Sequence, residues 1–346
     1  MHRTLLEYLV CPACKGDLNI SYITEENKYF HGEIFDGRLG CSCERVYKIF
    51  QGVPILIPNL SSGNSTRSSR EFAVLDKDTL ENKEIWEFIW ENIKNHRNNY
   101  FCSEKFFEED VRIDSLSFEN ALILETGIGY GRYIPHILKR KPRRLLGVDI
   151  TKQVFRIYKN FASTGKIDII MADIKYLPFR RETFDIIISS RALHHCPDMK
   201  RRYIEHVNLL KTNGILSSVI YCKNTSILFL NFIIKVFSRF FTLRQLLYIS
   251  LVPSLFLYLL IKLCYIPLNA LSKGKLHLPL NKGMLYWSKF NFLWLWKAVV
   301  FDIVASIYVT KYTSKKELDN LLSSLPISRY EFKIQFGSMW NIKINK

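Results

Sequence analysis

Residues 121–132 read ALILETGIGYGR, an apolar run that stops at an acid, Glu125, and continues into glycines at alternate positions, Gly127, Gly129 and Gly131. An uninterrupted apolar run of this kind is the pattern of a parallel strand buried on both faces. The glycines permit a tight turn and close approach of a ligand to the backbone before a helix begins. The ligand expected there is a nucleoside-type cofactor. Spacing narrows the choice, because a dinucleotide fingerprint needs glycines at its first, third and sixth places. Counting from Gly127, the sixth place is Arg132, which argues against NAD or FAD.

The segments that follow repeat the pattern. RRLLGVDI ends an apolar strand at Asp149, KIDIIMADIKYLPF ends another at Asp173, and FDIIISS opens a third with Asp185. Apolar strands alternating with helical stretches predict an α/β fold, with polar residues at the edge where an open sheet binds its ligand. On these residues the chain resembles the class I S-adenosylmethionine-dependent methyltransferases, especially the ubiquinone and menaquinone C-methyltransferase branch, over roughly residues 115 to 222. The resemblance implies a Rossmann-like seven-stranded sheet and assigns roles residue by residue. Glu125 with Gly127, Gly129 and Gly131 would hold the methionine end, Asp149 the ribose hydroxyls, and Asp173 the adenine amino group, with Ile174 stacking nearby. The chemistry agrees. S-adenosylmethionine carries a carboxylate, an ammonium and a sulfonium but no pyrophosphate, so its site needs amide donors and carboxylates rather than a basic phosphate cradle.

Four cysteines near the start form a second constellation, Cys11 and Cys14 in CPAC and Cys41 and Cys43 in CSC. Their separation is that of a zinc ribbon, in which two knuckles supply two thiolates each. The second knuckle is short by one residue, with only Ser42 between its thiols. LLEYLVCPACKGDL followed by VYKIFQGVPILIP resembles the small zinc-ribbon activator subunit of tRNA methyltransferases, which implies bound Zn2+. Metal would contribute about 10 kcal/mol or more to folding so short a segment. The other cysteines, Cys102, Cys196, Cys222 and Cys264, are scattered in apolar surroundings as reduced thiols are, which points to a cytoplasmic compartment.

The 346 residues divide into a ribbon over 1–60, a polar linker SSGNSTRSSR over 61–70, and a methyltransferase domain over 71–346. In LENKEIWEFIWENIKNHR the spacing puts Ile85, Phe88, Ile89 and Ile93 on one helical face, expected to pack on the nucleotide domain. Thr151 is expected to cap a helix, and Pro197 and Asp198 to open another. Ser314 and Glu317 form a capping box, and RYEFKIQF and MWNIKIN flank Gly337 and Ser338 as a closing hairpin. MHRTLLEYLV has too short an apolar stretch for a signal peptide.

Within the catalytic domain, about 223–312 reads as a helical apolar insertion. From His206 through Phe301 there is no Asp or Glu, while Lys and Arg recur among Leu, Ile, Phe, Tyr and Trp, and this segment carries much of the net charge of +17. QLLYISLVPSLFLYLLI, residues 245–261, is uncharged. As a membrane span it would be at the lower length limit, carry Pro253 at its centre, and draw Lys262 inward at about 3 kcal/mol. A single crossing would also strand the final strands on the wrong side of the bilayer. The expectation is a helical lid whose basic and aromatic residues face an anionic membrane surface or an amphiphilic substrate. An apolar subdomain packed on the sheet is the plainer alternative.

Methyl transfer is an in-line displacement that gains most from alignment and exclusion of water. A base is needed only where the acceptor must lose a proton. His194 and His195 in SSRALHHCPD are the catalytic candidates, and Arg191 is a candidate for an acidic acceptor. Three functions fit. The first is a methyltransferase acting on a small-molecule or lipid-linked acceptor, and the second an RNA methyltransferase, for which the charge is suitable. The third is a catalytically silent scaffold. Basic residues interleaved with long aliphatic runs favour the first over nucleic acid.

Overall fold

The computed structural model describes residues 1–26, 33–58, 77–92, 102–223, 236, 240–273, 284–285, 287–307, 311–335 and 337–346. The expected linker 61–70 and Ile93 lie outside them.

The glycine turn belongs to a seven-stranded sheet. Its strands are β5 (Leu122–Thr126), β6 (Arg144–Asp149), β7 (Ile167–Met171), β8 (Phe184–Ser190), β9 (Leu210–Tyr221), β10 (Arg329–Gln335) and β11 (Met339–Asn345). Their order is β10-β11-β9-β8-β5-β6-β7, parallel from β7 to β9, with β11 antiparallel to β9 and to β10. The chain runs outward from β5 to β7, then crosses back to β8, so the order reverses at the β5/β8 boundary. Loops leaving the carboxyl ends of such neighbours part in opposite directions and open a crevice. The closing hairpin pairs where the sequence places it, and Ser314 caps the helix Lys315–Ser323 with Glu317 bonding back.

Side chains of the parallel strands alternate between two clusters. Leu122, Leu124, Leu146 and Ile187 face α5 (Met199–Leu209) and the helix Lys315–Ser323, and Ile123, Leu145, Ile169 and Ile186 face α3 (Ile134–Lys139) and α4 (Gln153–Phe161). Both faces are covered, which is why the strand sequences read as unbroken apolar runs.

The cysteine-rich segment folds as a second, antiparallel sheet of β1 (Leu18–Glu26), β2 (Ile34–Cys41), β3 (Val46–Phe50) and β4 (Val53–Pro54). It is continuous with the first. Beyond β4 the chain runs beside β7, with Ile55 bridging Met171 in parallel and the Leu56 N–H donating to Met171 O at 2.8 Å. Val53, Ile55 and Ile57 enter the cluster on one face of the large sheet and Leu56 the cluster on the other. A second seam joins the Val10 N–H to Pro178 O (2.9 Å) and the Arg180 N–H to Tyr8 O (3.0 Å). Between these seams His2 lies 2.5 Å from the Glu33 carboxylate and 2.9 Å from Asp168. These hydrogen bonds push the imidazole up to about 9 and keep it cationic at neutral pH.

The insertion leaves the sheet after Cys222 and returns at Thr313, two residues joined by a parallel bridge. Its described part is helical, with a 29-residue run Leu243–Leu271 packed beside the helix Phe292–Ile307. Two expectations need correction. Pro253 lies in the first turn of the segment Leu251–Leu260, where a missing N–H is tolerated, so it does not break the run, which is long enough to cross a membrane. The isoleucine face of α1 (Lys77–Asn92) meets the insertion rather than the sheet, since Ile85 and Ile89 share a small core with Val300, Leu243 and Leu247.

Gly52 tests the junction of the two sheets. Its φ is +79°, and a Cβ there would lie 2.2 Å from the buried Tyr158 ring, whereas Gly165 has φ +64° with open space around it. Both sites charge an alanine for its left-handed backbone, about 1 kcal/mol, and only Gly52 adds overpacking of about 1–3 kcal/mol. Urea unfolding should therefore rank Gly52→Ala well below Gly165→Ala, and equal stabilities would show that the junction does not hold Tyr158 against the ribbon.

Candidate functional site

Glu125, Gly127, Gly129, Gly131, Asp149, Asp173, Ile174, His194 and His195 all lie at or just beyond the carboxyl ends of β5, β6, β7 and β8. Sequence separation of up to about seventy residues is thus collapsed onto one sheet edge. Asp185 lies at the opposite edge, accepting the Leu122 N–H at 2.8 Å and pairing with Lys211 at 2.7 Å.

Glu125 is 4% exposed and its Oε2 has no hydrogen-bond partner among the described residues. Burial pushes its carboxyl up to about 8, with Arg132 opposing and Asp149 adding to the rise. The turn beyond it is a cradle with no room for side chains. Gly127 has φ +70°, and a Cβ there would lie 2.6 Å from the Ala192 Cβ. The Gly129 N–H donates to Asp149 Oδ2 at 2.8 Å, tying the first strand end to the second. Asp149 Oδ1 accepts from Thr151 N and Oγ1 at 2.9 and 2.8 Å, so Thr151 braces the acid instead of capping α4, whose first turn has no side-chain cap. Asp173 Oδ1 caps the short turn Ile174–Tyr176 through the Lys175 N–H, 2.8 Å.

His194 is fully buried and neither of its ring nitrogens has a hydrogen-bond partner among the described residues. Burial holds its pKa well below the usual value, so the ring is neutral. It packs on His195 (centroids 4.1 Å) and Tyr221 (4.5 Å), while His195 meets the Trp86 ring edge-on at 5.1 Å. Arg191 is spent on structure. Its guanidinium grips the buried Asp110 of α2 (Glu104–Val111) in a fork, at 2.6 and 2.8 Å, and Ser190 and Tyr133 also donate to that carboxylate. Burial alone would raise Asp110, and the adjacent Arg191 reverses this.

The residues that sequence reasoning missed are those of the cover. Trp90 lies over Gly129, 3.1 Å from where a Cβ would stand, stacks against Trp86 and meets Tyr130 edge-on. The Lys152 N–H donates to Glu87 at 3.0 Å, and Lys175 donates to Thr79. Helix α1 therefore closes over the strand ends. Two tryptophans four residues apart on the face beside the isoleucines were the available signal. In the cysteine-rich segment Cys11, Cys14, Cys41 and Cys43 converge, their sulfurs all within 4.8 Å of one another, with Cys11–Cys43 at 3.8 Å and Cys14–Cys41 at 3.4 Å. Both knuckles turn alike, with Lys15 N–H donating to Cys11 O and Glu44 N–H to Cys41 O at 2.9 Å, each donor residue left-handed. The missing residue in the second knuckle does not prevent the convergence.

Residues 124–218 match the family model of a methyltransferase domain. The mouse mitochondrial arginine-hydroxylase NDUFAF5 is 28% identical over 115 residues, 33% of this chain and 33% of that protein. A phthiotriol/phenolphthiotriol dimycocerosates methyltransferase of Mycobacterium ulcerans is 25% identical over 95 residues, 27% of this chain and 35% of that one. The chain thus spans about a third of the length of these curated relatives. Among solved structures, a complex of the Haloferax volcanii Trm112 methyltransferase activator with a methyltransferase aligns at TM-score 0.34 and 17% identity, over 40% of this chain and 60% of that one.

The raised Glu125 pKa has a defined consequence. An acid whose folded pKa exceeds its unfolded one binds its proton more tightly when folded, so stability falls as pH rises from about 4.5 to about 8. Glu125→Gln removes this dependence. Its melting temperature should exceed wild type by a margin that grows across that window and is absent below it; a margin independent of pH would show that Glu125 is not a buried titrating acid.

Proposed function

We propose that the protein is an S-adenosylmethionine-dependent methyltransferase acting on an amphiphilic acceptor, a small molecule or a lipid-linked one, reached at the cytoplasmic side of a membrane. The observation that carries the cofactor is Glu125, a buried carboxyl with an orphaned oxygen beside a glycine turn too tight for any Cβ. A cationic ammonium satisfies that oxygen and restores the charge that burial suppresses. Asp149 is held at the next strand end with its carboxylate already oriented by Gly129 and Thr151, and serves as acceptor for the ribose hydroxyls. Asp173 and Ile174 flank the adenine. The bound donor supplies an electrophilic methyl on a sulfonium. The chain's part is to align the acceptor and exclude water, and Trp86 and Trp90 on α1 suit the second task.

His194 enters as a neutral imidazole whose burial disfavours its protonated form, so the half-buried His195 packed on it is the better placed of the two to take an acceptor proton. The acceptor class is supported by the absence of Asp and Glu between His206 and Phe301, among basic and aliphatic residues. A relative named as a hydroxylase shows that the fold alone does not fix the reaction. RNA is the second acceptor reading, and the net charge of +17 is its support.

Asp149→Ala should weaken S-adenosylmethionine binding by about 1.5–3 kcal/mol, roughly 10- to 150-fold by calorimetry, because a charged acceptor is lost. Unchanged affinity in the folded variant, or tighter binding of NAD than of the methyl donor by wild type, overturns the cofactor assignment. Transfer of labelled methyl into lipid, metabolite or RNA fractions then names the acceptor class.

The four thiols are proposed to hold structural zinc. A tetrahedral ion with Zn–S near 2.3 Å sets sulfurs about 3.8 Å apart, close to the spacing found here. Elemental analysis should find about one zinc per chain, lost in Cys11→Ser/Cys14→Ser; full retention in that variant, or no metal in protein purified without chelator, refutes the site.

A further inference from the structure

The helical run Leu243–Leu271 is apolar on its outer face as well as its inner one. Toward its protein neighbours it presents Leu246, Ser250, Ser254 and Ile261, all buried, and the two serines are tied down by Trp296 Nε1 donating to Ser250 Oγ (3.0 Å) and Ser254 Oγ donating to Ser250 O (2.6 Å). Outward it presents Tyr248, Val252, Leu255, Phe256, Leu259 and Leu263, between 44% and 75% exposed, at the spacing of one continuous helical stripe. A helix in water turns its large apolar side chains to the core. Two buried serines sit among leucines and isoleucines at the helix–helix contact while large apolar residues also face outward, an arrangement that suits a helix with hydrocarbon on its outer side. An exposed stripe of this extent needs an apolar occupant.

The charge around the stripe selects that occupant. Arg244 and Lys273 bracket the run and Lys262 lies beside the stripe, its ammonium bonded to Ser288 O at 3.2 Å, with no acid anywhere between His206 and Phe301. Cations bordering an apolar face match an anionic lipid surface, headgroups outside and acyl chains beneath. Both ends of the insertion meet at the Cys222–Thr313 bridge, so the segment enters and leaves from one side of the sheet. We infer that the Val252–Leu263 stripe docks this protein into one leaflet of an anionic bilayer, without crossing it. The inference deepens the amphiphilic-acceptor reading and rests on it for the purpose of the contact. Leu243 and Leu247 pack with Ile85 and Ile89 of α1, and α1 covers the glycine turn through Trp90, so a docked stripe holds the strand ends one helix away from the lipid.

The test is flotation of the full chain with vesicles of phosphatidylcholine alone or with about a third phosphatidylglycerol, at low and high salt. Wild type should float with the anionic vesicles, bind neutral ones more weakly, and keep part of its binding at high salt, since the buried apolar term is unscreened. Val252→Ser/Phe256→Ser/Leu259→Ser, all at exposed positions, should lose tenfold or more in vesicle binding while its S-adenosylmethionine affinity stays that of wild type. Lost donor affinity in wild type would sink the enzymatic reading and leave the docking result standing. Undiminished flotation of the triple variant overturns the inference. So does wild type that ignores vesicles but forms a dimer which the triple variant cannot, since the occupant is then a second copy. Steeply salt-dependent RNA binding without vesicle binding overturns it as well, and wild type that resists alkaline extraction from membranes replaces docking with a span.

Discussion

A buried carboxyl with one oxygen left without a partner among the described residues anchors the strand-end turn of this molecule. Taking Glu125 out of water disfavours its charge, and nothing on the described sheet offers its Oε2 a donor. The arrangement is tolerable because Arg132 offsets part of the penalty and because protonation removes the rest. The turn that follows must then stay narrow, since any side chain at Gly127 would meet Ala192 and push the acid's neighbours apart. Gly129 in turn fixes Asp149, and Asp149 recruits Thr151 away from its helix. Hydrogen bonds from Gly129 and Thr151 to Asp149 thus join two strand ends beside the buried acid. Such polar vacancies survive folding where a ligand completes them.

The cysteine-rich segment protects the same sheet from the side. β7 would otherwise be an open parallel edge, with unpaired amides inviting another chain. The chain running through Ile55 and Leu56 bridges the Met171 end of that edge and divides its side chains between both faces of the sheet, so the two sheets share a core. Of the thiol cluster, Cys11 belongs to the shared core and Cys14 is exposed. Whatever steadies the knuckles also steadies the edge.

The insertion obeys opposite packing rules from the rest of the chain. The sheet buries its leucines and isoleucines and the helices flanking it expose their polar faces, whereas Leu243–Leu271 buries Leu246, Ile261 and two serines and still displays leucine and phenylalanine outward. Between the two regimes stands α1, with isoleucines toward the insertion and tryptophans toward the glycine turn. Its two faces meet two different environments, which is why its periodicity alone misdirects.

What the sequence by itself determined is the part written in local patterns. Apolar runs ending in acids, alternate glycines, the Ser314 capping box and the closing hairpin each depend on residues close in sequence and each is found where its pattern lies, and the two short cysteine pairs meet across about thirty residues as their residue type suggests. The tertiary structure alone decided the rest. Arg191 looked available for a substrate until Asp110, eighty-one residues away, claimed its guanidinium in a fork. The isoleucines of α1 announced a buried face without saying against what. The run from Leu243 announced a helix without saying that its serines point inward. Periodicity records which residues share a face, and the partner of that face is chosen by contacts distant in sequence, where loop closure, edge pairing and the location of water leave no mark on neighbouring residues.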